Sequence, residues 1–165
     1  MKSLFLFFVS LSISCFSQNK IEKIEFNTNG YANEPDFSII IYRDRTAIFI
    51  AKNNNYEENL KGDVVGFGTN EKGYNIRNSE IKGVFKVKLK KTVFNEIIML
   101  IKNLKQEFKK GNFISNQIHN SEATLIVSKE KNKSNSITDI GMRNNKNLMN
   151  LYNYLKKLRF NQSWK

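Results

Sequence analysis

Residues 92–108 read TVFNEIIMLIKNLKQEF. Phe94, Ile97, Ile101, Leu104 and Phe108 recur at spacings of three and four, which puts them in one stripe of a single amphipathic helix. Lys102, Lys105 and Lys109 fall on a different face, the one expected to meet water. Lys109-Lys110-Gly111-Asn112 then supplies a stop, with cations near the last turn followed by glycine. Everything before this helix has strand character, and strands with an apolar face need a layer to pack on. The helix is therefore expected to be the cover of one sheet.

Working back from it, residues 81–89 alternate, with Phe85, Val87 and Leu89 on one side and Lys82, Val84, Lys86 and Lys88 on the other. Further upstream, FSIIIY at 37–42 and TAIFIA at 46–51 are β-rich runs split only by Arg43-Asp44-Arg45, which reads as a hairpin. KIEKIEFN at 20–27 alternates as a half-buried strand, with a slip in phase at its start. Asn27 to Asp36, with Gly30, Asn33 and the only proline, Pro35, is a turn region. Between Lys52 and Gly73 the chain is polar and then glycine-rich, with Val64, Val65 and Phe67 as a short further strand.

Beyond the helix, Phe113 to Ser121 reads as a loop, EATLIVS at 122–128 as a strand, 129–135 as a polar connection, and SITDIG at 136–141 as its hairpin partner. Asn144 or Asn145 can cap a last helix that carries Leu148, Leu151, Tyr152, Leu155 and Leu158 on one side. The expected fold class is α+β: an antiparallel sheet with two helices packed on one face, in the order ββββ-α-ββ-α. Its core should include the stripe of the first helix with Phe37, Ile39, Ile41, Ile48, Phe85, Val87, Leu125 and Val127.

The first residues stand apart. Lys2 precedes LFLFFVSLSISCF at 4–16, and the small Ser17 is followed by Gln18, the layout of a secretory signal peptide. The apolar stretch would cover about 20 Å as a helix, against about 30 Å for a bilayer core. The expected organisation is a signal peptide over residues 1–17 and a single domain over 18–165, with no transmembrane segment after cleavage. Cys15 is the only cysteine. Ser14-Cys15 also fits part of a lipoprotein signal, although Ser12 stands where leucine is expected, so the alternative is a lipoprotein anchored at Cys15. Cleavage after Ser17 removes the thiol, and with it any disulfide, thiol nucleophile or Cys-ligated metal. The expected location is exported, periplasmic or secreted.

The chain of 165 residues has a formal net charge of +12. Such a balance points to an anionic envelope polymer or a protein as partner. Only five arginines are present, so specific nucleic-acid recognition, which relies on bidentate arginine contacts, is not expected. Lysine and asparagine are abundant throughout, which is also what a compositional bias produces. The cations most suited to a polyanion are Lys82, Lys86, Lys88 and Lys90 on the strand before the helix, joined by Lys105 and Lys109 from the helix itself. Lysines on an edge strand also discourage sheet-to-sheet pairing.

Catalytic signatures are weak. Gly66-Phe67-Gly68 with Gly73 lacks the strand–loop–helix setting of a phosphate loop. His119 is the only histidine, with no second imidazole for a metal site and no nucleophile elbow around Ser121 or Ser136. No cofactor and no metal are expected. The function expected is a non-enzymatic envelope binding or accessory module of unknown activity. The alternative is a hydrolase of an envelope polymer that uses His119 and a carboxylate such as Asp139 or Glu122.

Cys15-Phe16-Ser17-Gln18, Pro35-Asp36-Phe37, Asp44, Phe94, Asp139-Ile140-Gly141 and Leu148 to Leu158 together resemble a small exported domain family of unknown function from Bacteroidota-type bacteria. The resemblance would span most of residues 21–160 and implies the fold, with no activity or catalytic residues. Arg45 departs from it, standing where such hairpin turns usually have glycine.

Overall fold

The computed structural model describes residues 21–30, 34–55, 68–69, 75–76, 81–114, 121–130, 132–142 and 145–165. Nine strands and three helical segments are present among them. The strands are β1 (Ile21–Asn29), β2 (Asp36–Tyr42), β3 (Thr46–Asn53), β4 (Gly68–Thr69), β5 (Asn75–Ile76), β6 (Gly83–Lys88), β7 (Asn112–Ile114), β8 (Glu122–Lys129) and β9 (Lys133–Ile140). The helices are α1 (Lys91–Lys102), α2 (Lys105–Lys110) and α3 (Lys146–Leu158). Seven strands form one sheet in the order β6-β3-β2-β1-β8-β9-β7, antiparallel except for the β7–β9 pair. β4 and β5 pair as a separate two-stranded antiparallel sheet.

The α+β class with helices over a mostly antiparallel sheet is therefore present, and the detail differs from the sequence reading. The helix expected over 92–108 is two segments. Asn103 closes α1, and Leu104 has φ −91° and ψ 26°, outside the helical region. Leu104 N donates to the Ile101 carbonyl at 3.0 Å, a tighter turn than the α-helical ladder. α2 ends at Gly111, whose positive φ of 77° is one that glycine adopts readily.

The sheet sets the length of this helical pair. α1 follows β6 at one edge of the sheet, and α2 leads into β7 at the other. Seven strands at about 4.8 Å spacing span about 29 Å. At about 1.5 Å per residue, α1 supplies about 18 Å and α2 about 9 Å, with the turn at Asn103 and Leu104 between them.

One face of the sheet is the core. Across it run Ala47 and Phe49 (β3), Phe37, Ile39 and Ile41 (β2), Ile24 and Phe26 (β1), Ala123, Leu125 and Val127 (β8), and Ile137 (β9), all buried. Ile97, Ile101 and Leu104 close it from α1 and its junction, as do Leu148, Leu151, Tyr152, Leu155 and Leu158 from α3. Phe94, Phe108, Phe85 and Val87 are only partly buried against it. Ile48 is a correction. It is paired with Ile40 and Lys86 on the opposite face of the sheet, and Phe49 takes the core position. TAIFIA is apolar on both sides, so the alternation in that run gives no phase by itself.

The phase slip at the start of the first strand is a register shift between Ile21 and Lys23 in the pairing with β8. The β2–β3 hairpin turns at Asp44 and Arg45, and Arg45 adopts φ 73° without being glycine. Asp44 stabilises that turn, with Oδ1 accepting from Thr46 N at 3.0 Å and Oδ2 from Thr46 Oγ1 at 2.8 Å. The connection expected at 129–135 is strand for most of its length, because Lys129 and Lys133 pair and the chain reverses at Asn132, with φ 56°. Residues 112–114, expected as the end of the helix stop and the start of a loop, form β7, which pairs in parallel with β9 through Phe113 and Asp139. The strand expected at 64–67 lies outside the described residues.

Asn145 caps α3, its Oδ1 accepting from Asn147 N at 2.9 Å and Leu148 N at 3.0 Å. At the other end of α3, buried Arg159 stands 4.6 Å over the Phe37 ring and donates from Nη1 to Asn55 Oδ1 at 2.8 Å. The chain then returns to the β6 edge. Lys86 N donates to the Lys165 carbonyl at 2.8 Å, and Lys165 N donates back at 3.1 Å. Trp164 lies 5.6 Å from the Phe49 ring and donates from Nε1 to the Leu158 carbonyl at 3.1 Å. The edge strand is thus covered in part by the chain itself.

Candidate functional site

A groove of about 640 Å³ opens between the α1–α2 pair and one end of the sheet. Helical spacing builds its upper wall, because Phe94, Ile98, Ile101, Lys105 and Phe108 follow one another at intervals of three and four. Its lower wall is the end of the strands where β1 begins, β8 ends and β9 begins. Ile21 pairs with Lys129 there, and Val127 with Asn135. The β2–β3 turn adds Arg43.

Two kinds of residue line this groove. The floor is apolar: Ile21, Phe94, Ile98, Ile101, Phe108 and Val127. The rim is cationic: Arg43, Lys102, Lys105, Lys109 and Lys129, with Asn135 the remaining polar group. No carboxylate is among these lining residues. Glu130 lies just outside and pairs with Arg43, at 3.0 Å from Nη1, in a setting where both side chains are solvated and the pair contributes little. With its amide oxygen turned toward the ammonium, Asn135 accepts from Lys129 Nζ at 3.0 Å. Among the described residues, Lys102, Lys105 and Lys109 have no carboxylate partner and are exposed.

The cations singled out in the sequence separate into two groups. Lys105 and Lys109 belong to this groove. Lys86 and Lys88 line a different recess with Thr46, Val87, Ser163 and Lys165. Alternation along β6 turns them away from Phe85 and Val87, which face the core. Lys88 is also committed to Asp44, at 2.7 Å, and this ammonium with the Thr46 donors holds the Asp44 carboxyl well below the ordinary carboxylate range. Lys82 is exposed just before β6, and Lys90 is the exposed residue that precedes α1. Sequence reasoning missed Arg43, Lys102 and Lys129 as companions of Lys105 and Lys109. The helical part of the signal was present in Ile98, Lys102, Lys105 and Lys109, a second stripe beside the apolar one. Arg43 and Lys129 come from distant turns and could not be placed by spacing.

His119 and the glycine-rich residues 62–67 lie outside the described residues. Asp139, one carboxylate considered for a hydrolytic site, is fully buried under α3 beside Tyr152. The Tyr152 hydroxyl and both Asp139 oxygens lack a well-aligned hydrogen bond. Burial pushes the Asp139 carboxyl up, and the nearby Met142 N–H and Tyr152 hydroxyl offset only part of that. Burial, with the Asp139 charge, raises the Tyr152 phenol as well. These are properties of a carboxylate buried in the core. Among the described residues, no three His, Cys, Asp or Glu side chains group as a metal site. No described helix is long and apolar enough to cross a membrane.

The Asp139 shift has a consequence for stability. A carboxyl whose folded pKa is raised contributes its full share below the unfolded value, about 3.9, and loses it as pH rises through the folded value. Asp139→Asn keeps the shape and removes the charge. At pH 7.5 the variant should be more stable to urea than the parent, and the advantage should shrink toward pH 4. Equal stabilities at both pH values would mean that folding does not raise the Asp139 carboxyl.

No family model, no curated protein and no solved structure matches the chain.

Proposed function

We propose that residues 18–165 are an exported, non-enzymatic binding domain of a bacterial envelope, and that the ligand seats in the groove between α1–α2 and the sheet. The observation that carries this reading is the composition of the groove: an apolar floor rimmed by five cations with no lining carboxylate. Its volume of about 640 Å³ falls within the range of about 300–1,000 Å³ usual for small-molecule sites, whose linings are mostly apolar with a few convergent polar groups. The envelope setting rests on the leader-like residues 1–17, and the non-enzymatic reading rests on the groove residues themselves, which include no acid, histidine or nucleophilic hydroxyl.

Anilinonaphthalene sulfonate, an aromatic anion, is a direct probe. It should bind the folded chain at one site and fluoresce, with near-UV circular dichroism unchanged. Ile98→Gln alters a half-buried floor residue and should weaken binding by roughly tenfold, which corresponds to about 1.4 kcal/mol. Binding that is absent, or unaffected by Ile98→Gln, would remove the groove as the site.

A further inference from the structure

Resting on that reading of the groove, we propose that its ligand is a long-chain fatty acid, with the alkyl chain along the floor and the carboxylate held at the cationic rim. Charge complementarity carries the proposal. The sheet side contributes Arg43 and Lys129, and the helix side contributes Lys102, Lys105 and Lys109. Five cations around an apolar trough match a ligand with one anionic end and one apolar end. A neutral hydrocarbon would make no use of the cations, and a small hydrophilic anion would leave the floor wet.

Several features limit the ligand to one chain with one head. Phe94, Ile98 and Ile101 run along one line of α1 and Phe108 follows on α2, so the helix side of the groove is an apolar row that can serve as a track for one chain. The volume of about 640 Å³ suits one chain more readily than a two-chain lipid. Arg43 offers a planar fork that matches a carboxylate in bidentate fashion, and its present partner, Glu130, is itself a carboxylate at 3.0 Å. A ligand carboxylate would therefore replace or join a contact of the same chemistry. The lysines add mobile donors on long stems, which can follow the head group as chain length varies.

The test is a titration of the purified chain with saturated fatty acids from eight to sixteen carbons, below their micelle concentrations, read by displacement of anilinonaphthalene sulfonate. Affinity should rise by up to roughly fourfold per added methylene until the track is full, then level off. The fatty alcohol of the same length should bind roughly ten- to a hundredfold more weakly, for loss of charge-assisted hydrogen bonds. The double variant Lys105→Gln/Lys109→Gln should weaken the acid and leave the alcohol unchanged. The control Lys146→Gln/Lys157→Gln removes the same charge from exposed positions away from the groove and should have no effect. All four positions are exposed, and melting temperatures will show that the variants are folded.

Each other outcome overturns the proposal in a recognisable way. If the probe binds but no fatty acid displaces it, the fatty-acid assignment fails and the binding groove stands. Equal affinity for acid and alcohol would mean that the cations do not hold the head group. Lysophospholipid binding far tighter than any fatty acid would assign the head to a phosphate instead. Capture only by anionic two-chain vesicles, with no monomer binding, would make the groove a membrane-contact face. If neither the probe nor any fatty acid binds, this inference and the groove reading fall together.

Discussion

Replacing Phe26 by alanine is expected to cost about 3–5 kcal/mol, the usual loss for truncating a fully buried aromatic side chain. Phe26 is on β1, the strand that joins the two halves of the sheet, with Ile39 on one side and Leu125 on the other. Its ring stacks on Tyr152 at 5.3 Å and meets the edge of Phe37 at 5.8 Å. Truncation therefore removes a contact between sheet and α3 as well as one within the sheet. Each aromatic pair is worth about 0.5–1.5 kcal/mol beyond its area, which places the loss toward the upper end. Urea unfolding should show a lower midpoint with an unchanged slope. Because domains have only about 5–15 kcal/mol of stability, much of the margin would go. A loss below about 1 kcal/mol would mean that Phe26 is not the centre of the core, since even Ile→Val truncations reach that size.

The second large effect is expected at Ile101, where Ile101→Ala should cost about 2–5 kcal/mol. Ile101 is 4% exposed and stands one turn before the α1–α2 break, with its carbonyl accepting from Leu104 N at 3.0 Å. It belongs to the core and also lines the groove. The cavity left by truncation can be relieved from the groove side, so the loss should be smaller than for the enclosed Ile97, which is 0% exposed. Comparison of Ile101→Ala with Ile97→Ala by urea unfolding checks both statements. A loss under half the Ile97 value would indicate collapse of the groove wall into the space, and an equal loss would indicate a rigid one.

The same residue shows where reading the chain works and where it stops. The stripe Phe94, Ile97, Ile101, Leu104, Phe108 is a local property, because helical periodicity places those side chains together whatever surrounds them. The same holds for Leu148 to Leu158 in α3, for the Asn145 cap, and for the hairpin at Asp44 and Arg45. The slip in phase near Ile21 was visible as broken alternation and became a register shift. In each case the signal and the structure lie within a few residues of each other. The stripe could not reveal which of its members would be closed over. Ile97 and Leu104 are sealed and Ile101 is nearly so at the edge of the groove, whereas Phe94 and Phe108 remain half-open along it.

The sequence by itself therefore determined the α+β class, the strands β1, β2, β3, β6, β8 and β9, and the apolar sides of α1 and α3, because these follow from periods of two and 3.6. Tertiary structure decided the rest. The core side of β3 went to Phe49 over Ile48 because pairing with β2 and β6 fixed a phase that a doubly apolar run leaves open. β7 exists because β9 offers an edge to residues 112–114, which have little strand signal of their own. The return of Trp164 and Lys165 to Phe49 and Lys86 depends on where α3 ends in space. The groove belongs to the same class. Arg43, Lys105 and Lys129 are far apart along the chain, and only the crossing of α1–α2 over the strand ends brings their charges around one apolar floor.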